Sequence, residues 1–228
     1  MKFYENALEG VKNLRTSVIC SIWLLVVSSL VLLTTLAEVP FFLIILGIAV
    51  LVLGITALIL ELLGVSKAAR DMAVFGSAKT ILIIGLVLSV AAVIFQEGSV
   101  PRMLLNVINS ILSLWALILI IQGLIAFAKV YKREDLIREG QSLLRLVMVL
   151  GCLGVLLELL DAILPSSSGS QTLRIILSVI VLVLGCCRLA MMLRYLNHII
   201  GMLASAAPQG YDSADTSGKS GSGWDIGL

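Results

Sequence analysis

Residues 40–60 read PFFLIILGIAVLVLGITALIL and contain no charged side chain. At 1.5 Å per residue they form a helix of about 31 Å, against a bilayer hydrocarbon core of about 30 Å. Fifteen or so strongly apolar residues at about −0.5 kcal/mol each make insertion favourable by several kcal/mol. The rest of the chain repeats this pattern. Apolar blocks occupy roughly 17–37, 40–60, 80–96, 103–128, 144–164 and 173–193. They are too long for ordinary strands and lack the alternation of an outer-membrane barrel. Helices also satisfy their own backbone groups where no water is present. The expectation is an all-α integral membrane protein with six transmembrane helices.

Composition agrees with this reading. Hydrophobic residues make up 60% of the 228 and charged residues 13%, about half the charged share usual in soluble domains. Six spans place both termini and the 2–3 and 4–5 connections on one side. Of the 16 lysines and arginines, only Arg102 and Arg174 fall on the other. The positive-inside rule then makes both termini cytoplasmic. The basic residues flank helices, where they meet anionic headgroups, so the net charge of +2 gives no support for nucleic acid as a partner. Thr35-Leu36-Ala37 loosely fits a signal-cleavage pattern. The first span has counterparts later in the chain, so it is read as a retained helix.

Those counterparts suggest a repeat. EGVKNLR at 9–15 returns as EGQSLLR at 139–145, and FGSAKT at 75–80 is a fainter version. Gly10, Gly76 and Gly140, like Pro40, Pro101 and Pro165, recur at about 65 residues, as repeated supersecondary units do. Each unit runs from an amphipathic lead-in through an outward helix, a Pro turn and an inward helix to a basic exit. The expected divisions are a lead-in at 1–16, hairpins at 17–64, 65–128 and 129–200, and a flexible tail at 201–228. The third hairpin includes its own lead-in at 129–143. Glycine in each lead-in is expected to let the chain turn from the interface into the bilayer, and the lead-ins are read as interfacial helices.

The inward helix at 40–59 and the exit IQGLIAFAKVYK resemble the short repeats of HdeD-type bacterial membrane proteins, through Gly47, Gly54, Gly123 and the Pro turns. The resemblance covers residues 10–200 and implies six helices in repeated hairpins. It also implies a bacterial cytoplasmic (inner) membrane and a non-enzymatic role in envelope or acid-stress tolerance. The longer 4–5 connection and the tail after Ala207 have no match in that pattern.

Two intramembrane groups are candidate sites. Asn106, Asn109, Ser110 and Ser113 share one helical face. Interhelical hydrogen bonding, worth about 0.6 kcal/mol per contact, is the first reading. A polar outer vestibule of a channel or transporter is the alternative. Arg174 and Arg188 lie about 21 Å apart along one helix, so at least one must snorkel or find a carboxylate. Glu61 is the expected partner of Arg188, and Glu158 with Asp161 lies near the expected height of Arg174. Ordinary interfacial charge competes with a proton- or cation-responsive cluster there.

Other features point to packing. Gly47 and Gly54, and Gly151 and Gly154, suit close helix approach, with homo-oligomerisation left open. His198 is placed just past the sixth helix, without an acid or nucleophile at motif spacing. Cys20, Cys152, Cys186 and Cys187 lack CxxC spacing and read as small apolar packing residues. No catalytic pair, cofactor motif or metal cluster is expected, and Gly218-Lys219-Ser220 fails the phosphate-loop pattern at Ser213. Trp224 and Ile226 in the Gly/Ser-rich tail are a candidate motif for a cytoplasmic partner, making the protein a membrane scaffold in that reading. A disordered end without function is the simpler one.

Overall fold

The computed structural model describes residues 4–36, 40–96, 99–163 and 168–206, with side chains omitted at 32–36, 40, 157–163, 168–179 and 181. Among the described residues the regular structure is six helices. These are α1 (Glu5–Leu36), α2 (Pro40–Ala68), α3 (Ala73–Ile94), α4 (Val100–Val130), α5 (Glu134–Ile163) and α6 (Ser168–Ser205). All six are long and apolar enough to cross a membrane. Pro40 opens α2 and Pro101 stands at the start of α4, where a missing N–H costs nothing because first-turn donors have no intrahelical acceptor.

The principal contacts follow chain order, α1 on α2, α2 on α3, α3 on α4, α4 on α5 and α5 on α6, and α6 closes on α1. The helices therefore form a ring. Among the described residues the buried core is concentrated at one end. It joins Val11 and Leu14 of α1, Val65 of α2, Phe75 of α3, Leu124 and Phe127 of α4, Leu143 of α5, and Tyr195, Ile199 and Leu203 of α6. These are the starts of the odd helices and the ends of the even ones, so successive helices alternate in direction. This basic end carries the 2–3 and 4–5 connections. The six-span reading and the absence of strand among the described residues agree with the sequence expectation.

The recurring Glu-Gly pair has a physical explanation at this end. Both glycines lie inside continuous helices, so the expected turn at the lead-in does not occur. They instead permit close approach. A Cβ on Gly10 would stand 2.6 Å from the Gly64 carbonyl oxygen, and one on Gly64 would stand 2.8 Å from that of Gly10. A Cβ on Gly140 would meet the Tyr195 hydroxyl at 2.5 Å and Ile125 at 2.6 Å. The preceding glutamates bind basic residues across the helix pair. Glu9 accepts from Lys67 at 2.6 Å, while Glu139 lies 3.3 Å from Arg194 and 2.8 Å from Nδ1 of His198. His198 thus lies within α6, not beyond it, and its acidic neighbour comes from α5.

The middle version differs. A Cβ on Gly76 would meet nothing within 4 Å. Phe75, in the place of the glutamate, is fully buried and stacks on Phe127 with centroids 5.8 Å apart. Its ring lies over Gly123, where a Cβ would come within 2.6 Å. Tyr4 adds edge contacts to Phe127 and Tyr131 at 5.6 and 6.4 Å. Burial, with Tyr4 and Asp71 nearby, pushes the Tyr131 phenol above its ordinary value.

Two connections are fixed by backbone chemistry. Asp71, between α2 and α3, accepts from the Ala7 backbone N–H at 2.7 Å and from Asn6 Nδ2 at 3.4 Å. It therefore caps the first turn of α1 from a distant part of the chain, and its negative charge suits the positive end of that helix. After α4, the N–H groups of Lys132 and Arg133 donate to the carbonyls of Lys129 and Ala128. This paired closure requires the left-handed backbone that Lys132 adopts at φ 53°.

Candidate functional site: a polar cavity inside the ring

Above the apolar core the ring is not filled. A cavity of about 430 Å³ is lined by α1, α2, α4, α5 and α6, within the range of about 300–1,000 Å³ typical of small-molecule sites. Its floor is apolar and includes Leu14, Ile120, Val147 and Met192. Its polar lining consists of Ser17, Ser21, Ser110, Ser113, Glu61 and Arg188. Charged side chains inside a membrane cost at least about 2.5–3.5 kcal/mol each and usually face a bundle interior or a wet cavity. Glu61 and Arg188 follow that rule.

Each polar group reaches the cavity for a local reason. Glu61 lies one turn before Gly64, where α1 and α2 touch backbone to backbone. Arg188 lies one turn before Met192, which is buried in the common core. Ser17 is buried and donates to the Ala57 carbonyl of α2 at 2.8 Å. Ser21 donates back to the Ser17 carbonyl at 3.0 Å. These bonds hold the polar face of α1 toward the cavity. Small side chains leave the space open: Gly154 and Gly185 line it, and a Cβ on either would meet no atom within 4 Å.

The expected partnership of Glu61 and Arg188 takes an unexpected form. Both line the same cavity, and each lies within electrostatic range of the other. Among the described residues the ion pairs involve Glu9, Asp135, Glu134 and Glu139, and Glu61 and Arg188 form none. In the ring they stand on the two helices flanking α1, one on each side of Ser17 and Ser21. Arg188 does not snorkel away from the bundle.

The α4 polar stripe is divided among different surroundings. Ser110 and Ser113 line the cavity. Asn109 turns toward α3, where a Cβ on Gly85 would lie 3.1 Å from its Oδ1, and Asn106 is exposed. Of the four, only Ser110 and Ser113 thus line this cavity. Side chains of Glu158, Asp161 and Arg174 lie outside the described residues, as do Trp224 and Ile226.

Several packing expectations are corrected. Gly47 has open space around it, and a Cβ on Gly54 would only reach Leu24 at 4.0 Å. Gly47 is exposed, while Gly54 is half-buried and faces α1 only loosely. Gly151 does pack, directly beneath Leu114. Cys152, Cys186 and Cys187 are exposed on helix surfaces and Cys20 is half-buried, so most of the cysteines meet the surroundings of the bundle and not its core. The fully buried Tyr195 hydroxyl has no hydrogen-bond partner among the described residues. Among the described residues no group of His, Cys, Asp and Glu is arranged to hold a metal ion.

The sequence did not reveal the contributions of Ser17, Ser21, Gly154 and Gly185. A signal was present in part: Ser17 and Ser21 are spaced i, i+4 in an apolar helix and so share a face. No protein-family model, no curated protein and no solved structure matches the chain.

Proposed function

We propose that this is a non-enzymatic six-helix membrane protein of the channel or carrier class, taking a small polar solute into the cavity within its ring. The observation that carries this reading is the polar lining of that cavity: Glu61, Arg188 and four serines surrounded by apolar helices. A purely structural bundle gains little from such a space, since membrane helices associate through close packing. In this proposal the chain is built as three hairpins with both termini cytoplasmic, in a bacterial inner membrane. The apolar floor at the basic end separates the cavity from the cytoplasm.

The test is flux through liposomes containing the purified chain. A panel of small polar solutes is expected to cross faster than in protein-free liposomes. Ser110→Leu/Ser113→Leu, which fills the cavity from α4, is expected to reduce that flux at least about tenfold, the loss corresponding to about 1.4 kcal/mol. Equal flux with and without protein overturns the reading.

The HdeD-type resemblance supports a second reading, tolerance of envelope or acid stress. The relevant observation is Glu139, shared by Arg194 and His198 at the basic end. This contact ties α5 to α6 through one carboxylate and two basic side chains. A deletion strain is then expected to survive acid shock poorly and to be restored by the wild-type chain. Unchanged survival removes this reading. The tail bearing Trp224 and Ile226 supports a scaffold role only if deleting residues 208–228 abolishes partner capture.

A further inference from the structure

Resting on the cavity reading, we infer that its solute is a small zwitterion, with its anionic group at Arg188 and its ammonium at Glu61. The cavity is lined by one guanidinium, Arg188, and one carboxyl group, Glu61. They face a common space yet form no ion pair with each other. A pair serving structure alone would be expected to close into contact, because an uncompensated charge is costly in a low-dielectric interior. Their separation leaves a guanidinium fork able to accept a carboxylate in two parallel hydrogen bonds and a carboxylate able to accept from an ammonium.

Charge balance narrows the solute class. A simple anion would satisfy Arg188 and bring a like charge toward Glu61. A simple cation would do the reverse at Arg188. A neutral solute would keep the balance but make no charge-to-charge contact with either group. A zwitterion answers both and keeps the occupied cavity neutral, the condition under which entry into a membrane interior costs least. Size is consistent: a cavity of about 430 Å³ admits a compact amino-acid-like molecule. Ser17 and Ser21 are occupied with helix carbonyls, which keeps this wall polar without adding charge.

Equilibrium binding to the full chain, purified in detergent, tests the inference with radiolabelled alanine. Propionate, propylamine and propane-1,2-diol serve as anionic, cationic and neutral competitors of similar size. Alanine is expected to bind at least about tenfold more tightly than any of the three, a conservative figure for two buried charge contacts. Glu61→Gln and Arg188→Gln should each erase that preference, in opposite directions. The first should shift selection toward propionate and the second toward propylamine. A chain that merely failed to fold would gain neither, and gel-filtration elution and melting temperature check each variant. Alanine binding no tighter than the diol, with the liposome flux intact, overturns the zwitterion and leaves the polar-cavity reading standing. Absence of both binding and flux overturns both.

Discussion

The two halves of this bundle pack their apolar residues in opposite ways. On α3, Phe75 and Ala78 at the basic end are 0% exposed, while Val93 and Ile94 at the other end are 77% and 82% exposed. On α2, Val65 is 0% exposed and Leu51 is 63% exposed. The difference reflects two solvents. The 38 residues of α6 span about 57 Å, well beyond a hydrocarbon core of about 30 Å. The basic ends therefore extend toward headgroups and water, where burying apolar surface is favourable. The other half faces lipid, which solvates Leu and Val as well as another helix does. One end is thus held by a protein-like core, while the membrane half can keep an open polar space.

The largest test of this contrast uses glycine. Gly64→Ala, whose new Cβ would press on the Gly10 carbonyl and Leu14, is expected to destabilise the protein by about 1–3 kcal/mol. Gly47→Ala, in open space, should change stability by no more than about 0.5 kcal/mol. Thermal unfolding in one detergent compares them. Similar losses for both would show that the halves do not differ in packing as described.

A smaller effect is expected at Asp71, which reaches the start of α1 across the basic end. Asp71→Ala should cost about 1–2 kcal/mol, through loss of the cap at Ala7 and its charge. Faster hydrogen exchange of the Ala7 amide is the local readout. An unchanged amide would mean that the first turn of α1 is held some other way.

The smallest concerns a flaw within the packed half. Tyr195→Phe removes a buried hydroxyl that lacks a partner among the described residues and keeps the ring against Gly140. Stability should stay the same or rise by up to about 1 kcal/mol. A clear loss in the same unfolding assay would show that the hydroxyl contributes a favourable interaction.

Much of the fold was legible because spans declare themselves locally. Residues 40–60 need no neighbour to be recognised as a membrane helix, and Pro40 marks its start. The recurring Glu-Gly was legible as a pattern but not as a mechanism. It read as a turn into the bilayer, whereas Gly10 and Gly140 bring helices together and Glu9 and Glu139 meet bases far away in sequence, Lys67 for the first and Arg194 and His198 for the second. The candidate site was only half legible. Glu61 and Arg188 stood out as charges in apolar surroundings, but the common face of Asn106, Asn109, Ser110 and Ser113 suggested one vestibule where the neighbours of α4 separate them. A helical face is encoded by spacing within one segment, while its surroundings depend on which helices flank it.

The sequence by itself determined the six apolar helices and the crowding of basic residues at the ends of the spans. Both are properties of one segment in its solvent, and hydropathy and charge measure them directly. Only the tertiary structure decided that the helices close into a ring, that the packed core gathers at the basic end, and that Glu61 and Arg188 share a cavity without touching. Those outcomes depend on contacts between residues far apart in the chain. Lipid accepts almost any apolar helix surface, so small features such as the meeting of Gly10 with Gly64 select which arrangement forms.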